Sequence, residues 1–539
     1  MAMRIFISIF CIMYVQMSIA QVCNCTYTIT KTGSYDGKTL KIGPGATVCI
    51  QAGKYNYLRL NNFVGAPDNP IKFVNCGGLV DVNYPTGSTT GIAIQGSRYF
   101  QITGTGTPGL EYGIRISATG SGISGLNITG KSSDCEVDHL EVSNAGFAGI
   151  MIKTDPTCDV STQRSSFAMY NVKVHHNYVH DVKGEGLYIG NSFWNSGQSR
   201  SCNGASVKVL PHNIYGLEIS YNRTVNTGCE GIQYACAPES QVHHNTVYNS
   251  GIDPFDPYQD NGVQIGGGVS GGFYNNTIQK AKGIGLIIVG HLGPNRIYNN
   301  TIAETGSNGI FVDERPGSLA NVEVALVNNT IFSTREEGIK LYNETQTTTI
   351  INNAVVMVAG NKYLSTLNSK VRFTTLNNYT SASAGEAKFV NASGGDLRVA
   401  SGSPLINTGQ NTSRYGVVTD LDDRARPQGG TYDIGAYESG QSGARQGVKS
   451  EAVAAAESAV VLVRAYPSPA TDQLVVRLSN EELIEQVSIV DGNGRELGRH
   501  TASTPASELS IPVGQLGKGI YLLRVGTASR QYGGRFLKD

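Results

Sequence analysis

The sequence predicts an all-β chain in two parts, a long stack of three-stranded rungs followed by a small β-sandwich. Three observations predict it. The phrase glycine, aliphatic, any residue, aliphatic recurs through the middle of the chain. A second phrase, a short β-rich strand running into asparagine, alternates with it. The pattern then changes after about residue 460.

The first phrase occurs as Gly149-Ile150-Met151-Ile152, Gly186-Leu187-Tyr188-Ile189, Gly231-Ile232-Gln233-Tyr234 and Gly262-Val263-Gln264-Ile265. It returns at Gly285, Gly309 and Gly338, with spacings of 37, 45, 31, 23, 24 and 29 residues. The shortest spacings give the unit; the longer ones carry insertions. The second phrase occurs as Val174-His175-His176-Asn177, Ile219-Ser220-Tyr221-Asn222, Val242-His243-His244-Asn245, Ile297-Tyr298-Asn299-Asn300 and Val327-Asn328-Asn329. Another β-rich triplet follows each, such as Thr330-Ile331-Phe332. Each unit thus holds about three strands with period-2 alternation. One unit cannot bury its own apolar face, so neighbours must stack into a continuous core. Asparagine tolerates the left-handed backbone of a sharp turn, and stacked amides can bond from rung to rung.

The pattern resembles the pectate-lyase-like superfamily of right-handed parallel β-helices. Gly43-Pro44-Gly45-Ala46-Thr47-Val48 and Asp68-Asn69-Pro70-Ile71-Lys72-Phe73 look like the first rungs of many secreted members. Ser403-Pro404-Leu405-Ile406-Asn407, Thr419-Asp420-Leu421-Asp422 and Asp433-Ile434-Gly435-Ala436-Tyr437-Glu438 resemble a closing segment common in that group. Its carboxylates read as capping groups, because an exposed sheet end must be covered or charged.

The ends of the chain point to export. Arg4, the apolar run Ile5 to Ile19 and the small residues before Gln21 read as a signal peptide over residues 1–20. No later run reaches the roughly 20 apolar residues of a membrane span. Residues 21–438 read as the β-helix and residues 439–460 as a small-residue linker. Tyr466-Pro467-Ser468-Pro469, Val487-Ser488-Ile489-Val490-Asp491-Gly492-Asn493-Gly494 and Gly519-Ile520-Tyr521-Leu522-Leu523 then read as alternating strands with an Asn-Gly turn. These motifs resemble the type A sorting domain of the type IX secretion system of Bacteroidota, with Ser468 where that family usually has asparagine. The resemblance implies a secreted or cell-surface protein that engages the type IX machinery through residues 461–539.

Nine cysteines follow the signal, all before residue 237; in an exported chain they read as disulfides, with at least one left over. The formal charge balances to zero, so nothing points to nucleic acid or a membrane surface, although a local charged groove is not excluded. A monomer is expected.

In the glycine phrase the aliphatics point inward and the residue between them outward. The outward positions begin with Met151 and Lys153, then Tyr188, Gln233 and Gln264, so the first four rungs present Lys, Tyr, Gln and Gln, hydrogen-bonding groups suited to sugars. Insertions at 155–171 and 191–213 leave this strand in adjacent rungs, and residues 251–260 enter it from the other end. Together they would wall a groove, where function concentrates. Glu185, Glu230 and Asp260 lie at the strand's entry, Asp155 and Asn191 at its exit. A polysaccharide is the expected partner, and two chemistries compete. Glu185 and Glu230, one rung or about 4.8 Å apart, approach the roughly 5–5.5 Å of retaining glycosidases. Lys153 and Tyr188 could instead serve as base and acid of a β-elimination, for which Ca2+ is the metal that would be called on. A glutamate before the strand glycine could also be a turn residue, as Glu337 repeats there. Asp155, Asn191, Gln233, Asp260 and Gln264 would bind substrate, and binding without chemistry is the remaining reading. Asp253-Pro254-Phe255-Asp256 resembles the acidic motif of alginate epimerases, but phenylalanine stands where their histidine belongs. His175-His176 and His243-His244 are expected to stack at the asparagine turn, and no metal ligands are assigned.

Overall fold

The computed structural model describes residues 23–84, 90–440, 463–466, 470–478, 482–490, 496–528 and 531–538. The expected signal peptide, the expected linker from residue 441, Pro467-Ser468-Pro469 and the expected Asn493-Gly494 turn lie outside the described residues. The chain divides into two compact units, Met1–Gln441 and Ser442–Asp539.

The first unit is a parallel β-helix with three strands to a rung. Twelve strands, from Gly33–Asp36 to Leu364–Thr366, pair in one parallel sheet. Alternation positions their side chains: in Ile150–Ile152, Val263–Ile265 and Ile310–Val312 the aliphatics are buried and the residue between them is partly exposed. The other two strands of a rung flank the asparagine turn. Val172–His175 and Tyr178–Val182, for example, pair in parallel with Glu218–Ser220 and Arg223–Thr227 of the next rung. The aliphatics of all three sheets meet in one core running from Ile29 to Val371.

The recurrent glycine has a steric cause. A Cβ on Gly149 would stand 2.3 Å from Val179 Cγ1, and one on Gly231 or Gly285 would be as close to Val247 or Ile302. Each of these aliphatics lies in the core of the following rung, so no larger residue fits the corner.

The turn itself uses two residues, and the division of labour differs from the expected one. The left-handed position is the residue before the common asparagine: His176, Tyr221, His244, Asn275, Asn299, Asn328 and Asn352 all have φ between 52° and 55°. The asparagine that follows is buried and builds a ladder. Asn177 Nδ2 donates to Asn222 Oδ1 at 3.0 Å, and the pattern continues through Asn245, Asn276, Asn300, Asn329 and Asn353 to Asn378. The same oxygens accept the backbone N–H of the preceding rung's asparagine. Buried amides therefore keep their partners, which avoids about 1–3 kcal/mol for each group left unpaired. Of the histidine pairs, His176 and His244 stack as expected, in the order His139, His176, Tyr221, His244 with centroids 5.2, 4.9 and 4.7 Å apart. His175 and His243 stand instead on the outer face of the adjoining sheet, where His243 stacks on Tyr274.

The closing segment is a lateral strap, which corrects its expected place over the end of the stack. From residue 408 to 433 it runs along the left-handed asparagines. Asn377, Asn352, Asn328, Asn299 and Asn275 donate to the carbonyls of Thr408, Gln410, Asp433, Thr419 and Asp420. Five successive amides project from the turn with free N–H groups, and a strand of carbonyls satisfies them. The strap's carboxylates are structural: Glu438 pairs with the fully buried Arg426 at 2.9 Å, and Asp420 accepts the N–H groups of Asp422, Arg424 and Glu438.

Disulfides Cys23–Cys76 and Cys25–Cys49 tie the first rungs together, and Cys158–Cys202 joins the two insertions. Cys135, Cys229 and Cys236 are free and buried. The second unit packs two antiparallel sheets, one of three strands and one of four, around Leu474, Val476, Val487, Ile489, Ile511, Leu523 and Phe536. No helix among the described residues is long and apolar enough to cross a membrane.

Candidate functional site

The outward column is in register as the spacing implies: Met151, Tyr188, Gln233, Gln264, Ile287, Phe311 and Lys340 stand on successive rungs. It is not an open floor, however. Tyr188 and Gln233 are buried, while Lys153 and Gln264 are partly exposed. The second insertion and the 251–260 segment both reach towards Tyr188, whose hydroxyl meets Ser192 Oγ at 3.4 Å. Phe147 meets the Tyr188 ring edge-on and stacks on Phe255, and Gln264 Nε2 donates to Gln233 Oε1 at 3.2 Å.

At the strand's exit the structure brings four candidates together. Lys153 Nζ donates to Asp155 at 2.9 Å and to Asn191 Oδ1 at 3.4 Å, and lies 4.8 Å from the centroid of the Tyr188 ring. Asn191 is buried and donates to the Thr154 carbonyl, while the Asp155 carboxylate is half exposed. The insertions form the wall. Within it, Ala168–Tyr170 pairs with Asn213–Tyr215, and the hairpin of Gln198–Cys202 and Ala205–Val209 turns at Asn203-Gly204, both left-handed. Trp194 serves this wall: it packs on Ala235 and Cys236 beneath the Arg164 guanidinium, and its Nε1 donates to Asn213.

At the entry, Glu185 and Glu230 stand one rung apart in the register that sets Leu187 beside Ile232. Asp260 does not continue their column; Asn261 does. The Asp260 carboxylate lies against Gly283 of the next rung, whereas Asn261 Nδ2 donates to Glu230 Oε1 at 3.0 Å. The glutamates are 2% and 0% exposed. Segment 251–260 folds over this corner: Ile252 and Asp253 donate their N–H groups to Thr227 and Gly228, and Gln259 approaches the Cys229 thiol. Gly184 leaves room for it, since a Cβ there would stand 3.1 Å from the Phe255 ring.

Three glutamates share the position before the strand glycine, and their environments separate them. Glu337 accepts from Asn308 Nδ2 at 2.6 Å and lies 3.8 Å from Lys340 Nζ. Burial alone would raise its pKa, but its own backbone N–H and Lys340 outweigh that and hold it below the ordinary value. The Oε2 atoms of Glu185 and Glu230 have no hydrogen-bond partner among the described residues. Burial raises both carboxyls; Glu185 is drawn back by its own backbone N–H and by Lys153. Glu230 is pushed up to about 8, by burial first and then by the charges of Glu185 and Asp260. Burial thus raises both neighbouring carboxyls above the ordinary value.

One convergence escaped the sequence. On the outer face of the adjoining sheet, Glu136, Asp138 and His175 bring a ligand atom each within 4.8 Å of one another. The signal was the register Asp138 to His175. It was hidden because Leu140 replaces the common asparagine in that rung; its backbone N–H is met by Asn177 Oδ1.

Stacked parallel rungs, an asparagine ladder and a separate antiparallel unit define the class: a right-handed parallel β-helix protein with a C-terminal secretion module. Residues 255–379 match the family model described as right handed beta helix region. Residues 464–538 match the secretion system C-terminal sorting domain, which marks the chain as a secreted or cell-surface protein that engages the type IX machinery. No curated protein matches. Among solved structures, the chain is similar to pectate lyase Pel9A, with 13% identity over 77% of this chain and 96% of that one and a TM-score of 0.35. It is similar to the A-module of mannuronan C-5 epimerase AlgE6 from Azotobacter vinelandii, with 12% identity, coverage of 66% and 99%, and a TM-score of 0.33. It is also similar to the catalytic unit of an α-1,3-glucanase from Streptomyces thermodiastaticus, with 12% identity, coverage of 68% and 71%, and a TM-score of 0.36.

Proposed function

We propose that the β-helix hydrolyses a glycosidic bond of an extracellular polysaccharide, with Glu230 as general acid and Glu185 as its partner carboxyl. The contrast with Glu337 carries this reading. Glu337 has an amide and a cation on its carboxylate; Glu230 shares the amide contact, from Asn261, but it and Glu185 each keep one buried oxygen unpartnered among the described residues. Such a burden is costly in a structural residue and useful in a catalytic one. Glu230, protonated up to about pH 8, would give its proton to the leaving oxygen. Glu185, raised by burial and only partly drawn back by its own backbone N–H and by Lys153, would act on the opposite side of the bond. One-rung spacing of about 4.8 Å suits the shorter, retaining separation. Gln233, Gln264, Asn191 and Asp155 would orient the chain, and the 251–260 segment would lift as it enters. Elimination is less well supported, because Lys153, its base, is tied to Asp155 and Asn191.

The test is product analysis with the purified protein on neutral and uronate polysaccharides. Reducing ends should appear without an unsaturated uronate, and Glu185→Gln and Glu230→Gln should each remove about 10²–10⁴-fold of the rate. Unsaturated product lost on Lys153→Ala would replace hydrolysis by elimination. The full burial of both carboxyls favours a second reading, in which the covered face only binds sugar. In that case the same variants weaken affinity and no product forms.

A further inference from the structure

We infer that Glu136, Asp138 and His175 form a binding site for a divalent transition-metal ion, of the Zn2+ or Mn2+ kind, on the outer face of the sheet that adjoins the asparagine turn. This site lies on a different sheet from the carboxyl pair and does not rest on the proposed hydrolysis.

Strand alternation turns Val137 and Val174 into the core and Glu136, Asp138 and His175 outward. Parallel register then sets Asp138 directly beside His175. His175 Nε2 comes within 3.3 Å of Glu136 Oε1, and one oxygen of each carboxylate and the imidazole nitrogen all lie within 4.8 Å of one another. The preceding rung supplies supports. Gln101 Nε2 donates to Glu136 Oε1 at 2.8 Å and to Asp138 Oδ2 at 2.9 Å, and the Thr103 hydroxyl donates to Asp138 Oδ1. His139 Nδ1 also reaches Asp138 Oδ1, at 2.6 Å. Such outer partners fix ligand orientation in metal sites.

The exposure is graded. The Asp138 side chain is 3% exposed, His175 21% and Glu136 35%, so the donors converge from a seated base to an open rim. An ion there would be held by three protein atoms with its remaining positions turned to solvent, the arrangement of an open site. The donor set selects the ion: imidazole suits Zn2+ and its neighbours, carboxylates suit Mn2+ as well, and Ca2+ takes oxygen ligands only. All three donors sit on β-strands, whose backbones are fixed by pairing on both sides.

The experiment titrates the EDTA-treated full chain with Zn2+ alone, and separately with Mn2+ and Ca2+, by calorimetry. One transition ion per chain should bind. His175→Ala and Glu136→Gln should each weaken it about tenfold or more, while His243→Ala, on the same face, should leave it unchanged. Thermal unfolding in EDTA checks that each variant is folded; Glu136→Gln alters the most exposed ligand and preserves its shape. No binding of Zn2+ or Mn2+, equal affinity for Ca2+, or unaltered affinity in both ligand variants would each overturn the site.

Discussion

Glu185, Glu230 and Glu337 occupy one position in the repeat, but their surroundings give them different chemistry. The sequence places all three before a strand glycine, and the register bears that out. What it could not show is the cover. Segment 251–260 follows no period, so neither its path over Gly184 and Gly228 nor the burial it imposes can be read from spacing. The same segment put Asp260 where Asn261 belongs. Burial of Glu230 has a consequence for stability. Its carboxyl holds its proton more tightly folded than unfolded, so its contribution is fully present below the ordinary value of 4.5 and is lost as pH rises towards about 8. Chemical denaturation of the wild type should therefore show stability falling across that window, and Glu230→Gln should flatten the slope. Equal slopes in the two proteins would mean that Glu230 is not held neutral. Any hydrolysis that uses Glu230 as acid should likewise fade above about pH 8.

At the scale of elements, the β-helix was largely legible because its repeat is a steric necessity written into composition. Glycine recurs where a Cβ would strike the next rung, and asparagine recurs where an amide must bridge two rungs. Asn276 sits mid-ladder, donating to Asn300 and accepting from Asn245. Asn276→Ala should cost about 1–3 kcal/mol by leaving buried groups unpaired, read as a shift of the denaturation midpoint. A neutral outcome would show the ladder to be decorative. The strap was less legible: its motif was recognised but its course was not, since five free amides on the flank are visible only once the turn is built. Pairing of cysteines was equally beyond the spacing. Cys158 and Cys202 join two insertions, so Cys158→Ser should speed amide exchange in 155–171 and 191–213 while leaving the stacked strands protected. Uniform loosening of the rungs would show that the insertions are not independent of the core.

The whole molecule separates an exported scaffold from its address. The β-helix closes its own core and carries its own strap, and the sorting domain has a core of its own. Residues 21–438 should accordingly remain folded when expressed alone, with the thermal transition of the β-helix unchanged; aggregation or loss of that transition would tie the two parts together. Neither the repeat nor the address contains the substrate, since many chemistries share such scaffolds. The most direct test is the pH-dependent release of reducing ends from a panel of neutral and uronate polysaccharides, by wild type and Glu230→Gln side by side. The account predicts release by the wild type that declines above about pH 8 and is absent from Glu230→Gln. Undiminished release by Glu230→Gln, or product that is unsaturated and depends on Lys153 instead, would contradict it.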